Sequence, residues 1–281
     1  MNQRNINQTH LAAFQNHLKS EEKSANTIEK YLRDARAFAT YLQGNTITKE
    51  ALIAYKAKLI ADNYAVRSIN SILASINSLL DFLEITDCKV KSLKVQRQIY
   101  CPEEKELTKE EYARLVKTAK RSGNERLNLI IQTICATGIR VSELEYITVE
   151  AVKKGEATVS LKGKTRSVFI IRELRKKLQH YIVEQKITTG PIFITKTGRP
   201  MSRTNIWREM KKLCKDAQVN PDKVFPHNLR HLFARTFYGI EKDIAKLADI
   251  LGHSSIDTTR IYIISTGNEH RRRMEHMHLI I

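Results

Sequence analysis

The stretch EATVSLKGKTRSVFII, residues 156–171, decides the fold class. Two runs containing threonine, valine and isoleucine flank Lys162-Gly163-Lys164, and short runs of this kind about a glycine turn read as a β-hairpin. Its tip is basic. Elsewhere the apolar residues recur at three- and four-residue steps, the period of a helix. A single hairpin in an otherwise helical chain predicts a mainly α fold with a small β-hairpin or sheet, α+β.

Working back from the hairpin, a short helix follows Arg140, and a longer one over about 125–136 stops at Thr137-Gly138, where glycine is common just past a helix end. A further helix begins in LTKEE, where Thr108 and Glu111 have capping-box spacing. Before it lies KVKSLKVQRQIYCPEEKE (89–106), charged, without apolar periodicity and broken by Pro102. The first 95 residues contain no proline and only Gly44. Four helical patterns fit there, at about 8–20, 26–43, 48–62 and 65–85. In the last, Ile69, Ile72, Leu73, Ile76, Leu79, Leu80 and Leu83 form one face. The expected organisation is a helical domain at 1–95, a linker at 96–106, and a mixed domain at 107–281.

Beyond the hairpin, helices at about 172–186 and 202–217 bracket the turn TKTGRP. Pro226 opens a helix through HNLRHLFARTF, and helices at 243–251 and 255–263 follow. The tail GNEHRRRMEHMHLII reads as a last helix with an apolar end.

Three constellations carry chemistry. In ATGIRVSELEYI (136–147) a glycine turn sets Arg140 at a helix start, where backbone N–H groups favour an anion. Glu143, three residues on, can hold the guanidinium; an ordinary surface ion pair has the same spacing. In FPHNLRHLFA, His227 and Arg230 share a helix face. His270 and Arg273 repeat that spacing within a run of charge that reads as a solvated basic face. In LGHSSIDTTRIY (251–262) a helix ends at Gly252, His253 follows, and Tyr262 comes nine residues later. Taken singly, a helix-ending histidine and a packed tyrosine are ordinary.

Composition narrows the classes. Lys and Arg number 48 against 30 Asp and Glu, a formal charge of +18, and the excess is spread over both halves. Such a field suits a polyanion, most simply nucleic acid, although basic enzymes without such a partner exist. Cys88, Cys101, Cys135 and Cys214 have no CxxC spacing, so reduced thiols are expected rather than a disulfide framework or zinc site. GKTR lacks the upstream spacing of a nucleotide-binding loop. No carboxylate cluster suggests a two-metal nuclease. The expectation is no metal and no cofactor. No apolar run approaches the ~18 residues of a membrane helix, and a soluble cytoplasmic protein, nucleoid-associated when bound, is expected.

In order, GIRVSEL, a hairpin lysine, HNLRH, LGH and IY resemble the catalytic domain of the tyrosine recombinase (phage integrase) family, over nearly the whole of 103–264. The preceding helical segment resembles that family's N-terminal core-binding (SAM-like) domain. The resemblance implies site-specific cutting and rejoining of double-stranded DNA through a 3′-phosphotyrosine, with Tyr262 as nucleophile. It also implies that Arg140 and Arg230 chelate the phosphate, His227 handles a proton, His253 contacts the phosphate and Glu143 supports the site. Lys162 is implied as general acid. The tip LKGKTR is a residue shorter than the usual pattern, and Lys164 stands as the alternative.

The resemblance further implies a C-shaped clamp on DNA and a homotetramer. The C-terminal tail would then either dock on a neighbouring protomer or fold back on its own domain. A type IB topoisomerase and a catalytically inactive DNA-binding regulator are the alternatives. The lack of room before residue 8 for an arm-binding domain favours a simple recombinase. Integration, excision, dimer resolution and inversion are left open, as is the target site.

Overall fold

A computed structural model describes residues 4–95, 103–161, 163–263, 271 and 274–277. The chain divides into two compact units, Met1–Arg97 and Gln98–Ile281.

The first unit is helical: α1 (Gln8–Ser20), α2 (Ala25–Leu42), α3 (Lys49–Ala61) and α4 (Val66–Phe82), then a 3₁₀ turn at Thr86–Cys88. Asn7, Ser24 and Thr48 cap the first three helices by accepting from backbone N–H groups of the first turn, which satisfies donors that a helix start leaves free. The apolar face of α4 fills the centre, with Ile69, Leu73, Ile76, Leu79 and Leu80 buried. Phe38, Leu52 and Tyr55 pack on it from α2 and α3. Buried Asp34 is held by Lys30 at 2.7 Å and by the Ser75 hydroxyl at 2.8 Å.

The second unit begins with a 3₁₀ turn (Glu103–Lys105) and α5 (Lys109–Arg121), whose Thr108–Glu111 capping box has both hydrogen bonds. Next comes α6 (Glu125–Thr137). It buries residues all round its circumference, including Leu127, Leu129, Ile130, Ile131 and Ile134, as expected of a helix at the centre of a domain. It packs against α5, α8 (Arg172–Glu184), α9 (Arg203–Ala217) and α10 (Pro226–Glu241). The segment after Arg140 is a 3₁₀ helix, Val141–Tyr146, not an α-helix. The six-residue α7 (Val149–Lys154) follows, an element the sequence reading did not assign.

Strands β1 (Glu156–Leu161) and β2 (Lys164–Phe169) form a two-stranded antiparallel sheet, with Glu156 opposite Phe169, Val159 opposite Arg166 and Leu161 opposite Lys164. Gly163, just before β2, has φ +73°. After α10 come α11 (Ile244–Leu251) and α12 (Ile256–Ile263). Cys88, Cys135 and Cys214 are free thiols. Among the described residues, no helix is long and apolar enough to cross a membrane.

Candidate active site

The site is organised around the end of α11. A helix leaves its last carbonyls without intrahelical partners. Gly252, at φ +64°, turns the chain there. The Gly252 N–H donates to Asp249 O at 3.0 Å and the His253 N–H to Ala248 O at 2.9 Å, the Schellman pattern. The next three carbonyls each accept from a different arginine: Ile250 from Arg166 Nη1 at 3.1 Å, Leu251 from Arg230 Nη2 at 2.6 Å, and Gly252 from Arg140 Nη2 at 3.2 Å. Three guanidinium groups from separate elements are thus gathered at the negative end of one helix, whose partial charge offsets some of their repulsion.

Glu143 supplies the counter-charge and is 1% exposed. One carboxylate oxygen accepts from Arg140 Nη1 at 2.7 Å; the other accepts from the Arg140 backbone N–H at 2.8 Å and from Arg166 Nη2 at 2.6 Å. The helix start where the sequence suggested room for an anion is therefore occupied internally, by Glu143. Three guanidiniums against one buried carboxylate leave a formal charge of +2.

Arg230 is almost fully buried on α10. It donates to Gly138 O as well as to Leu251 O, while its Nε–H has no partner among the described atoms. Burial, then the nearby Arg140 charge, pulls its pKa down to about 10, so it stays cationic at neutral pH. Gly138 sits at φ +64°, and a Cβ there would lie 2.5 Å from the Phe233 ring and 3.0 Å from Leu251. Only glycine fits this turn and presents its carbonyl to Arg230.

His253 Nε2 lies 3.0 Å from Arg230 Nη2, and its Nδ1 lies 2.9 Å from the Thr259 hydroxyl. An arginine only donates, so Nε2 accepts and Nδ1 carries the proton, which it donates to Thr259. Burial first, then Arg230, Arg140 and Arg166, lowers the His253 pKa to about 4. The imidazole is neutral at pH 7, in keeping with that tautomer.

Tyr262, on α12, is 7% exposed and packed among three imidazoles. His231 stacks on its ring at 4.2 Å between centroids with 10° between the planes, His227 meets it edge-on at 5.0 Å, and His253 lies tilted to it by 51° at 4.9 Å. The phenol oxygen is 3.4 Å from His227 Nδ1, and the Arg230 guanidinium carbon lies 5.7 Å from the ring centroid. Burial, then Arg230, lowers the His227 pKa, which leaves it neutral and able to accept a proton. Burial, then His227, lowers that of His231 to about 3.

Arg140, Glu143, His227, Arg230, His253 and Tyr262 are therefore brought together. Lys162 lies outside the described residues, and of Lys164 only the backbone, opening β2, is described. His270, Arg273 and most of the tail also lie outside them. Sequence reasoning assigned no role to Arg166, His231 or Thr259. His231 stood inside the quoted HNLRH motif, and Thr259 three residues before Tyr262, so position in those motifs was the available signal.

With this geometry in hand, comparison with known proteins is direct. The family model described as "Phage integrase family" matches residues 105–269, and that described as "Phage integrase, N-terminal SAM-like domain" matches 11–85. The chain belongs to the phage integrase family. It is 28% identical over 289 residues to the tyrosine recombinase XerA of Pyrococcus furiosus, covering 100% of this chain and 98% of the relative. It is 32% identical to the tyrosine recombinase XerC of Bradyrhizobium diazoefficiens, over 94% and 91% of the two chains. Its fold matches that of a lambda integrase dimer bound to a COC′ core site, with TM-score 0.74, 18% identity, and coverage of 92% and 95%.

Proposed function

We infer that this chain is a site-specific DNA recombinase that cuts and rejoins double-stranded DNA through a 3′-phosphotyrosine at Tyr262. The observation that carries the reading is the pinning of Arg140 and Arg230 to adjacent carbonyls, Gly252 and Leu251, with the Tyr262 ring beside Arg230. An in-line attack on a phosphodiester passes through a pentacoordinate phosphorus bearing two negative charges. The site's formal +2 matches it, and guanidinium forks suit the non-bridging oxygens.

In the forward step the Tyr262 phenol oxygen bonds to phosphorus, and its proton passes to neutral His227. The bond from phosphorus to the 5′-oxygen breaks, and that oxygen takes a proton from the hairpin lysine, Lys162, with Lys164 as the alternative donor. Arg140 and Arg230 contact the phosphate, His253 joins them once one of its ring N–H groups turns from Thr259 to a phosphate oxygen, and Glu143 holds Arg140. The ester keeps the bond energy, so a 5′-hydroxyl can attack it and reverse the step without cofactor or metal.

The unit before the linker is the core-binding domain and the one after it the catalytic domain. Both carry excess positive charge, as expected if both hold the duplex. Strand exchange needs four such sites, hence a homotetramer on DNA, with the tail docking on a neighbouring protomer. A type IB topoisomerase would relax supercoils without joining separate sites, and an inactive regulator would bind without a covalent adduct. The test is Tyr262→Phe on a nicked suicide substrate: DNA affinity stays near wild type and the covalent complex disappears. Persistence of the complex would refute the nucleophile.

A further inference from the structure

We propose that Arg166 is a positioning residue for leaving-group protonation: it sets the β1–β2 hairpin, and with it the basic tip, against the arginines that hold the phosphate. This rests on the functional reading above and assigns a role that the motif residues leave open.

Arg166 lies in the middle of β2, opposite Val159. The ladder between the strands runs on from there to the pair Leu161 and Lys164. Lys162 is four residues from Arg166 in sequence, a chain reach of at most about 13 Å at roughly 3.3 Å per residue. A clamp at Arg166 therefore sets where the strands that carry the tip lie.

Arg166 is that clamp. Its side chain is 13% exposed. One nitrogen donates to the buried Glu143 carboxylate at 2.6 Å, on the oxygen that also accepts the Arg140 backbone N–H. The other donates to Ile250 O at 3.1 Å, the carbonyl preceding the one that accepts from Arg230. Tyr146, six residues after Arg140, ties the same hairpin through its hydroxyl to Ser160 O at 2.6 Å. Gly252 makes room for the clamp: a Cβ there would overlap the Arg166 side chain, with Nε at 2.6 Å. The Val141–Tyr146 turn and the end of α11 are thus both shaped around this one side chain, and Arg166 acts through them.

A residue that only supports the arginine pair should weaken every cleavage alike. One that registers the proton donor should weaken only reactions that need the proton. The test uses two nicked substrates, one with the natural 5′-oxygen leaving group and one with a 5′-bridging sulfur, which departs unprotonated. On the oxygen substrate Arg166→Gln is expected to lose roughly 10²-fold in cleavage rate, the lower end of a general acid's contribution. On the sulfur substrate it is expected to return to within about threefold of wild type. Arg166→Lys, which keeps the charge beside Glu143, is expected to show a smaller deficit with the same rescue, and it serves if the glutamine variant does not fold. Equal deficits on both substrates overturn the proposal. Lys162→Ala and Lys164→Ala run alongside. If one is rescued by sulfur and the Arg166 variants are not, the positioning role is wrong and the functional reading stands; if neither is rescued, the assignment of the acid is wrong.

Discussion

Replacing Glu143 with glutamine tests the charge arrangement of the site with almost no change of shape. The carboxylate accepts three hydrogen bonds, from the Arg140 backbone, Arg140 Nη1 and Arg166 Nη2. The amide keeps one acceptor oxygen and turns an NH₂ toward groups that can only donate. Removing one partner of a buried ion pair costs about 3–5 kcal/mol. Arg140 is 38% exposed and partly screened, which places the expectation near the lower end, about 3 kcal/mol. A unit the size of residues 98–281 shifts by about 2–4 °C per kcal/mol, so the unfolding midpoint should fall by roughly 6–12 °C. Calorimetry measures it. Adding Arg166→Met to Glu143→Gln removes one of the stranded charges and should recover part of the loss, a coupling of about 1–3 kcal/mol. A midpoint shift below about 2 °C, or strictly additive losses, would refute the reasoning.

Gly138→Ala places a methyl against Phe233 and Leu251 at a left-handed backbone position; a destabilisation of about 1–3 kcal/mol is expected, and an unchanged melting midpoint would contradict it. Acid should destabilise the fold. His253 and His231 titrate near 4 and 3 when folded and near 6.5 when unfolded. The unfolded chain therefore binds more protons as pH falls below about 6.5, and stability drops from there toward pH 4. His231→Phe keeps a ring on Tyr262 and removes one such group, so its melting midpoint should depend less steeply on pH between 7 and 5; an unaltered slope counts against the burial account. DNA affinity should fall steeply with salt because phosphate contacts release counterions, and a flat response would argue against the proposed interface.

Local signals made much of this molecule legible in sequence. Helix α4 announced itself because its apolar residues recur at helical spacing, and the buried face is the one that spacing marks. Gly138 and Gly252 could be read as helix ends because glycine takes the left-handed backbone angles found there without the strain of a side chain. Those two turns, with Pro226 opening α10, give Arg140, Arg230 and His253 their places. Arg166 was illegible for a different reason. It lies in a basic hairpin where every cation looks like a phosphate contact, and its partners, Glu143 and Ile250, lie 23 and 84 residues away. Its Glu143 bond and the opposed geometry of Gly252 exist only once the chain has folded. Helix α7 was missed because six residues are too few to display a period, although Thr148 and Gly155 mark both its ends. The 3₁₀ form of Val141–Tyr146 escaped because it depends on Glu143 folding back onto the Arg140 backbone.

The most direct measurement is to digest the trapped protein–DNA complex and determine by mass spectrometry which side chain carries the nucleotide. The account predicts a 3′-nucleotide on the Tyr262 oxygen, at the position stacked on His231. A nucleotide on any other residue, or a cleaved strand bearing no peptide at all, would contradict it.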